Sequence, residues 1–576
     1  MAQEDVSVRE LVARIKRGEI RLPEMQRQYV WRKTQVRDLL DSLYRGYPSG
    51  TILTWKTVED VVTRDFSIAQ KPSEQQHFQL LLDGQQRLTS LSAILRGEPV
   101  QVRGLKRPID ILFNLNHPDN LEEVTEVFEN AEDDVDDADP DESTADASED
   151  DLLKRFDRMA FVVHSNKLAS KRHWVSVTEF FKESNNTPFL KKAGVKSFDD
   201  PLHNVYDERL KRLRAIENYE YRVHILDHDK SHEEATEIFV RVNSLGAKLR
   251  SSDLALAQIT AKWKNSLQIF QNFEQECAKA IDLGNLGLAI QIRNLVAFAS
   301  GQARFKAVGG LPKEQLEEAW GDAKKGMRFA LNFLHSNAGV DSLALLSSPF
   351  IAVTLAAYGH SKKYQLSPDE NDRLRHWVLA ASAKGRYSKG SSETLLDQDL
   401  AAVRRGQGID GLLQNLRTQV GRLDVQPEDL ENRSIRSAYF KTMFMAFRED
   451  GAGDWRDQLI ISLKHSGAQH RLQFHHIFPQ AVLRKKNLPK EKINDICNLV
   501  FISGSTNRRI SDKEPSVYLP EVVEKNGEDA LVKQCIPTNP ALWRVDAYDM
   551  FLDERRDLIA DRLDRFLGRE GDGGNE

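Results

Sequence analysis

A strand–strand–helix pattern near the C-terminus, which carries a pair of histidines, constrains this chain more than any other feature. The first strand lies in Phe474–Pro479 (FHHIFP), the second in Asn498–Ile502 (NLVFI), and a polar run then leads into Asn507 as a predicted helix start. Because side chains alternate across a strand, His475 and His476 face opposite sides and are expected to have different roles. The pattern predicts a compact hydrolytic centre.

These residue types suit hydrolysis of a phosphodiester. A histidine that titrates near neutrality can act as the general base, and a divalent metal can bridge the phosphate and the leaving oxygen. Asn498 could hold an imidazole through its ring N–H, and the amide oxygen of Asn507 is a hard ligand suited to Mg²⁺. The basic side chains that could bind phosphate are Arg508, Arg509 and Lys513. The alternative is a strand with two surface histidines and unrelated asparagines; zinc is disfavoured because no cysteine pair accompanies them.

A second polar motif lies in the N-terminal half, where Asp83–Thr89 (DGQQRLT) follows an apolar strand and opens a helix. A glycine at such a turn presents backbone N–H groups to an anion, and Arg87 can pair with phosphate. The predicted nucleotide-binding residues are Asp83, Gly84, Gln85, Gln86 and Arg87, with Gln26 and Arg27 upstream. No phosphate-binding loop of the GxxxxGK[ST] type occurs, and the same turn could be purely structural.

An acidic tract hides the charge of the rest of the chain. Between Glu122 and Asp151 there are 16 Asp or Glu residues and no Lys or Arg, and removing those 16 negative charges from a net charge of −6 leaves +10. Nucleic acid is therefore a reasonable partner, although ordinary surface charge is an alternative. The tract has too little apolar content to fold, so it is predicted to be a disordered insert. The first interpretation of its role is a solvated linker, and the second is a mimic of DNA.

A chain of 576 residues predicts two to four domains. Residues 1–255 mix helices with strands, of which Phe78–Asp83 and Tyr221–Leu226 are the clearest, and residues 256–430 are helical. Residues 431–568 hold the strand–strand–helix pattern and a terminal helix at Tyr548–Leu567, and residues 569–576 form a disordered tail. Within the helical region, Arg386, Tyr387 and Lys389 lie after a predicted helix end, where they could touch DNA or form a solvated loop.

Three scattered cysteines, Cys277, Cys497 and Cys535, form no CxxC pair and predict a reducing cytosol, so the protein is expected to be cytoplasmic. No signal-peptide core or membrane span is predicted. The oligomeric state stays open, a homo-oligomer included.

The C-terminal residues resemble the HNH nuclease signature, in the form found in GmrSD-type restriction proteins. The matching positions are His475-His476-Ile477-Phe478-Pro479, then Asn498-Leu499, then Asn507. The resemblance implies a ββα-metal domain in which His476 is the general base, Asn498 orients it, and His475 with Asn507 binds Mg²⁺ or Mn²⁺. The family often has Asp or Glu where His475 stands, and a histidine there favours Mn²⁺ somewhat more.

The N-terminal half resembles the N-terminal domain of the same GmrSD-type proteins. The residues that carry this likeness are Gln26-Arg27 with Trp31, Asp83–Arg87, and Ile238–Asn243 through Leu249. The resemblance implies a fold similar to the ParB and sulfiredoxin group, with binding and hydrolysis of an NTP (GTP, ATP or UTP).

Together the two likenesses imply a multidomain α+β protein and a modification-dependent (type IV) restriction endonuclease whose HNH domain nicks or cuts modified phage DNA under NTP control. Three alternatives stay open: a DNA-binding sensor with an inactive nuclease domain, a phosphorothioation-linked defence protein with NTPase and nickase activity, and an RNA-directed toxin.

Overall fold

The computed structural model divides into two compact units, Met1–Leu267 and Gln268–Glu576. The structure describes residues 2–23, 31–57, 63–64, 78–102, 107–119, 156–245, 251–281, 283–388, 391–456, 458–463 and 472–568. The acidic insert, the C-terminal tail, Gln26, Arg27 and Lys389 lie outside the described residues. The second unit holds the predicted helical region from Gln268 onward and the predicted nuclease domain, whereas residues 256–267 belong to the first unit.

The strands are β1 (Ala2–Ser7), β2 (Ile20–Pro23), β3 (Ile52–Thr57), β4 (Thr63–Arg64), β5 (Phe78–Asp83), β6 (Ile111–Asn114), β7 (Phe161–Val163), β8 (Trp174–Ser176), β9 (Glu220–Leu226), β10 (Leu472–His476) and β11 (Leu499–Ser503).

The α-helices of the first unit are α1 (Val8–Lys16), α2 (Lys33–Arg45), α3 (Gln85–Leu95), α4 (Asn166–Ala169), α5 (Val177–Lys182), α6 (Thr187–Lys192), α7 (Pro201–Arg214), α8 (His232–Leu245) and α9 (Ser251–Lys262), and α10 (Ser266–Ala280) begins at its end. Those of the second unit are α11 (Leu288–Ser300), α12 (Lys313–Ser336), α13 (Phe350–Ser361), α14 (Pro368–Ala383), α15 (Ser392–Arg404), α16 (Gly408–Val420), α17 (Pro427–Leu430), α18 (Ala438–Glu449), α19 (Gln480–Lys485), α20 (Lys490–Ile493), α21 (Gly504–Ile510), α22 (Pro515–Asn526), α23 (Asp529–Val532) and α24 (Tyr548–Leu567).

The main sheet of the first unit has, among the described residues, the strand order β1-β9-β3-β5-β2-β4. Strand β5 runs parallel to β2 and antiparallel to β3, and β3 runs parallel to β9. The carboxyl ends of β2 and β5 therefore lie at the same sheet edge as the amino ends of β3 and β9. This edge carries the Asp83–Arg87 turn.

Strand β5 is buried on both faces. Leu81 packs into a core that also contains residues of α1, α2 and α3, whereas Leu80 and Leu82 pack with Phe239 of α8 and Ala257 of α9. Alternation of side chains across the strand explains this division, and the run of apolar residues at 80–82 is typical of a strand covered on both sides. A smaller sheet has the order β7-β6-β8.

The second unit is mainly helical. Helix α12 packs against α11 and α13, α15 packs against α16, and the terminal helix α24 contacts α17 and α18. No described helix combines the length and the apolar character needed to cross a membrane. The predicted mixture of helices and sheets is confirmed.

The interpretation of Arg386 and Tyr387 as DNA-contacting or solvated residues is wrong. Arg386 is fully buried and donates to both carboxylate oxygens of Asp399, each at 3.0 Å, and the hydroxyl of Tyr387 donates to Asp399 at 2.6 Å. Helix α14 does end just before Gly385, whose φ is 69°. The chain then turns inward because Asp399, on α15, neutralises the arginine.

Candidate active site

Strands β10 and β11 form an antiparallel pair in which His475 lies opposite Val500 and His476 opposite Leu499. Helix α21 follows β11 without a gap and contacts both strands. The side chain of Ser503 caps this helix by accepting a hydrogen bond from the backbone N–H of Thr506. The strands and the helix therefore bring His475 and Asn507 together, and His476 is the next residue of β10.

A buried carboxylate braces the junction between β11 and α21. Asp454 accepts hydrogen bonds from the backbone N–H of Ser503 at 2.6 Å, the hydroxyl of Thr506 at 2.7 Å and the backbone N–H of Arg456 at 2.9 Å. Burial by itself would raise the pKa of Asp454, but these hydrogen bonds together lower that pKa below its ordinary value. Sequence reasoning missed Asp454 because it lies 49 residues before Ser503.

Strand β11 is supported by two further buried polar side chains. Arg555, fully buried on α24, donates to the carbonyl oxygens of Cys497 at 2.6 Å and Leu499 at 2.7 Å. Gln534 accepts from the backbone N–H of Phe501 at 2.9 Å and donates to its carbonyl at 3.0 Å. Both interactions satisfy backbone groups that the two-stranded pairing leaves open.

His475 and Asn507 are in direct contact. The Nδ1 atom of His475 lies 2.7 Å from Oδ1 of Asn507, whose Nδ2 donates to Gln473 at 2.8 Å. The amide is thereby oriented with its oxygen toward the imidazole, so Nδ1 carries the proton and Nε2 keeps its lone pair. Within the described residues Nε2 of His475 has no hydrogen-bond partner. Burial lowers the pKa of His475 to about 4, so the ring is neutral at neutral pH.

His475 and Asn507 would be the residues that hold a divalent metal, jointly with a phosphate. An imidazole nitrogen and an amide oxygen are both metal ligands in proteins, and here the two atoms are neighbours. An ion on both atoms requires the imidazole proton to move to Nε2. The pair carries no negative charge, and the described residues contain no cluster of three or more His, Cys, Asp or Glu suited to a metal. The counter-charge would come from the phosphate.

His476 has a separate set of partners. Its Nε2 lies 3.0 Å from Oδ1 of Asn494 and 3.0 Å from Nε2 of Gln480, and Gln480 also donates to Asn494 at 2.9 Å. The amide oxygen of Asn494 only accepts and the amide nitrogen of Gln480 only donates, so Nε2 bonds to one of them at a time. A protonated Nε2 donates to Asn494 and leaves the lone pair on Nδ1, whereas an unprotonated Nε2 accepts from Gln480. Burial lowers the pKa of His476, the bond to Asn494 offsets part of that effect, and the charge of Arg484 adds to it. A neutral ring of this kind can accept a proton.

Asn498 makes its hydrogen bonds to the backbone. Its oxygen accepts from the N–H of Phe478 at 2.9 Å, and its nitrogen donates to the carbonyls of Phe478 at 3.1 Å and Ile493 at 3.0 Å. The imidazole of His476 instead contacts Gln480 and Asn494, of which Asn494 lies 18 residues after His476. Asn498 thus joins the two ends of the segment between the strands. Arg508, Arg509 and Lys513 are exposed on and just after α21.

At the N-terminal turn, Asp83, Gly84 and Arg87 come together. Gly84 has a φ of 98° and links β5 to α3. Arg87 donates to the carbonyl of Ser49 at 2.6 Å and to the carboxylate of Asp83 at 3.1 Å. A Cβ added to Gly50 would lie 2.5 Å from Nη1 of Arg87, so the backbone approaches the guanidinium closely.

The two glutamines of this turn face inward. Gln85 and Gln86 are 6% and 8% exposed, and Gln86 accepts a hydrogen bond from the backbone N–H of Trp31 at 3.2 Å. The side chain of Asp83 is 33% exposed and that of Arg87 is 14% exposed. Asp83 is thus the most accessible side chain of the predicted nucleotide-binding turn. Gln26 and Arg27 cannot be placed relative to it, since they lie outside the described residues.

The family comparison concerns the part of the chain that contains this turn. Residues 8–260 match the family model described as the GmrSD restriction endonuclease, N-terminal domain. The matched residues fall inside the first compact unit and include every described strand of its main sheet except β1 (Ala2–Ser7). The predicted resemblance of the N-terminal half to this domain is confirmed, and the HNH interpretation of the C-terminal residues stays a prediction.

The chain is also similar to an uncharacterized protein of Methanocaldococcus jannaschii. The two are 24% identical in an alignment that is 572 residues long and covers 89% of this chain and 86% of the relative. The similarity thus extends over both compact units.

Proposed function

We propose that this chain is a metal-dependent DNA endonuclease whose C-terminal hairpin hydrolyses phosphodiesters and whose N-terminal domain controls it. The observation that carries the proposal is the pairing of His475 with Asn507 beside a neutral, separately held His476 on one hairpin. The match of residues 8–260 to a restriction endonuclease domain supports DNA as the substrate. The biological role would be the restriction of modified phage DNA.

In the proposed reaction His476 takes a proton from the attacking water. Its Nδ1 lone pair accepts the proton while the Nε2 hydrogen bond to Asn494 is kept, so the ring needs no rearrangement. A hydrogen bond from a charged imidazolium is stronger than one from a neutral ring, and Asn494 therefore favours the protonated product. His475 and Asn507 would hold Mg²⁺ or Mn²⁺, which supplies charge neutralisation at the phosphate.

The N-terminal domain would bind an NTP at the edge formed by Asp83, Gly84 and Arg87. The N–H groups at the start of α3 and the guanidinium of Arg87 offer positive charge to a phosphate. The burial of Gln85 and Gln86 argues against direct contact of their amides with nucleotide.

The decisive experiment compares DNA nicking by the wild-type chain and by His476→Ala, with Mg²⁺, Mn²⁺ or a chelator. Loss of the general base is expected to lower the rate by about 10²- to 10⁴-fold. His335→Ala, an exposed histidine of the same unit, is the matched control and should cleave normally. Cleavage by His476→Ala at the wild-type rate would refute the assignment. DNA binding by a wild-type chain that never nicks would favour the sensor alternative.

A further inference from the structure

The segment between β10 and β11 carries a group of cations that the proposed chemistry does not use. Arg484, Lys485, Lys486 and Lys490 lie within seven residues that contain no acid, and all four are exposed. In the part of the chain that the structure describes, no carboxylate forms an ion pair with Lys485, Lys486 or Lys490. By contrast, Lys492 pairs with Asp549 at 2.6 Å. The four residues are called the basic arm below.

The basic arm is connected to the candidate base. Arg484 donates to Oε1 of Gln480 at 3.2 Å, and the amide nitrogen of the same Gln480 lies 3.0 Å from Nε2 of His476. One side chain therefore separates the guanidinium from the imidazole. The cations of the arm lie on the segment that also supplies both polar partners of His476.

Buried side chains and backbone hydrogen bonds fix the position of the segment that carries the basic arm. Leu483 is fully buried and Ile493 is 4% exposed. Asn498 hydrogen-bonds to the backbone at Phe478 and Ile493, near the two ends of the segment. Asn487 takes a left-handed conformation, with a φ of 59°, where the chain reverses after α19. A surface held in one shape loses little entropy when it binds a ligand of fixed geometry.

We propose that the basic arm binds the phosphate backbone of DNA on the side of the cleavage site away from Asn507 and α21. Arg484 contacts the phosphate next to His476, and Lys485, Lys486 and Lys490 contact flanking phosphates. This inference rests on the proposed nuclease function and assigns substrate contacts that the motif itself does not include. Exposed, unpaired lysines are suited to a polyanion because they exchange bound counterions for phosphate.

The test measures binding of a labelled duplex DNA to the full chain by fluorescence anisotropy, over a series of KCl concentrations without divalent metal. The triple variant Lys485→Gln, Lys486→Gln, Lys490→Gln is expected to bind more weakly. Its plot of log affinity against log salt should be shallower by about 2 to 3, since each phosphate contact contributes about 0.9. The charge-preserving triple Lys→Arg variant should keep the wild-type slope.

The matched control replaces three exposed lysines of the same unit, Lys279, Lys306 and Lys325, by Gln. It makes the same change in net charge and should leave the slope unchanged. A basic-arm variant whose slope equals that of the wild type would overturn the inference, as would a control variant that loses as much affinity.

Nicking by the same variants separates this inference from the proposed function. A wild-type chain that nicks DNA while the basic-arm variant keeps its salt dependence would refute the arm alone. A wild-type chain that binds through the arm without nicking under any metal would refute the nuclease alone. For Arg484→Gln, the fall in kcat is expected to exceed the change in KM. If kcat and KM of this variant equal those of the wild type, Arg484 does not contact the reacting phosphate.

Discussion

His475 and His476 are neighbours in the chain, but among the described residues no side chain is hydrogen-bonded to both imidazoles. The Nδ1 atom of His475 contacts Asn507 on α21, and the Nε2 atom of His476 contacts Asn494 and Gln480 in the connecting segment. Strand alternation predicts this separation from the sequence alone. The identity of the partners of His476 was not predictable, because Gln480 and Asn494 belong to short helices or turns whose positions depend on the buried contacts of Leu483 and Ile493.

At the residue scale, the neutral charge of the His475–Asn507 pair leads to the first prediction. Asn507→Asp adds a carboxylate at the same size, and an added anionic oxygen strengthens binding of a hard divalent ion. The Mg²⁺ concentration for half-maximal nicking should fall by about tenfold. The measurement is a metal titration of nicking, with Asn332→Asp, an exposed residue of α12 in the same unit, as the control. A higher Mg²⁺ requirement would contradict the proposed donor set.

A second residue-scale prediction concerns acid stability. His117 is 3% exposed, its Nδ1 lies 2.9 Å from the carbonyl of Pro118, and its Nε2 lies 2.9 Å from the hydroxyl of Tyr44. Burial lowers the pKa of His117 to about 4, against about 6.5 in the unfolded chain. The unfolded state therefore binds more protons between these values, and the contribution of His117 to stability is lost as pH falls through this window.

Urea unfolding at about pH 7 and about pH 5 measures this effect. The wild type should lose about 2 kcal/mol of unfolding free energy through His117 alone. His117→Gln should lose correspondingly less between the two pH values, whereas the exposed control His164→Gln should behave as the wild type. An unchanged pH dependence in His117→Gln would show that another group is responsible.

At the scale of elements, periodicity predicted the long, regular pieces well. The strand Phe78–Asp83 and the helix Tyr548–Leu567 have the predicted bounds, because each is set by its own apolar pattern and its flanking residues. The short strands β7 and β8 were missed, since three residues hold too little pattern and depend on pairing with β6. Asp454 was not identified and Arg386 was misinterpreted for a related reason: their partners lie elsewhere in the sequence, and burial of a charge shows no local signal.

The turn at Asp83–Arg87 yields an element-scale prediction. Gly50 has a φ of 90°, and a Cβ there would lie 2.5 Å from Nη1 of Arg87. Gly50→Ala is expected to lower the unfolding free energy by about 1–3 kcal/mol through strain and to displace Arg87 from Ser49. It should also weaken NTP binding, measured by calorimetry, if Arg87 binds phosphate.

Gly46→Ala is the matched control for that substitution. Gly46 also has a left-handed φ, of 75°, but nothing lies within 4 Å of an added Cβ. The two variants should share the cost of strain and differ in the effect on Arg87. If the two variants bind nucleotide equally well and are equally stable, Arg87 does not contribute to nucleotide binding.

At the scale of the whole molecule, the boundary at Leu267 separates a domain matched by the restriction endonuclease family from the unit that carries the hairpin. A fragment that starts at Lys264, between α9 and α10, is predicted to nick DNA with Mg²⁺ or Mn²⁺ but without a response to NTP or to DNA modification. The measurement compares the fragment with the full chain on unmodified and glucosylated DNA, with and without NTP. A fragment that still responds to NTP would place nucleotide control in the second unit.

Asn498 bonds to the backbone near both ends of the connecting segment, and this affects which sequence changes the hairpin can tolerate. The backbones of Phe478 and Ile493 both bond to the side chain of Asn498, so the residues between them form a loop whose two ends are held together beside the hairpin. Changes in the length or charge of that loop need not disturb strand β10, which carries the histidines, or its partner β11. Under the proposed function, exchange of this one piece would change how tightly the chain holds DNA, and at what ionic strength, without altering the proposed cutting chemistry.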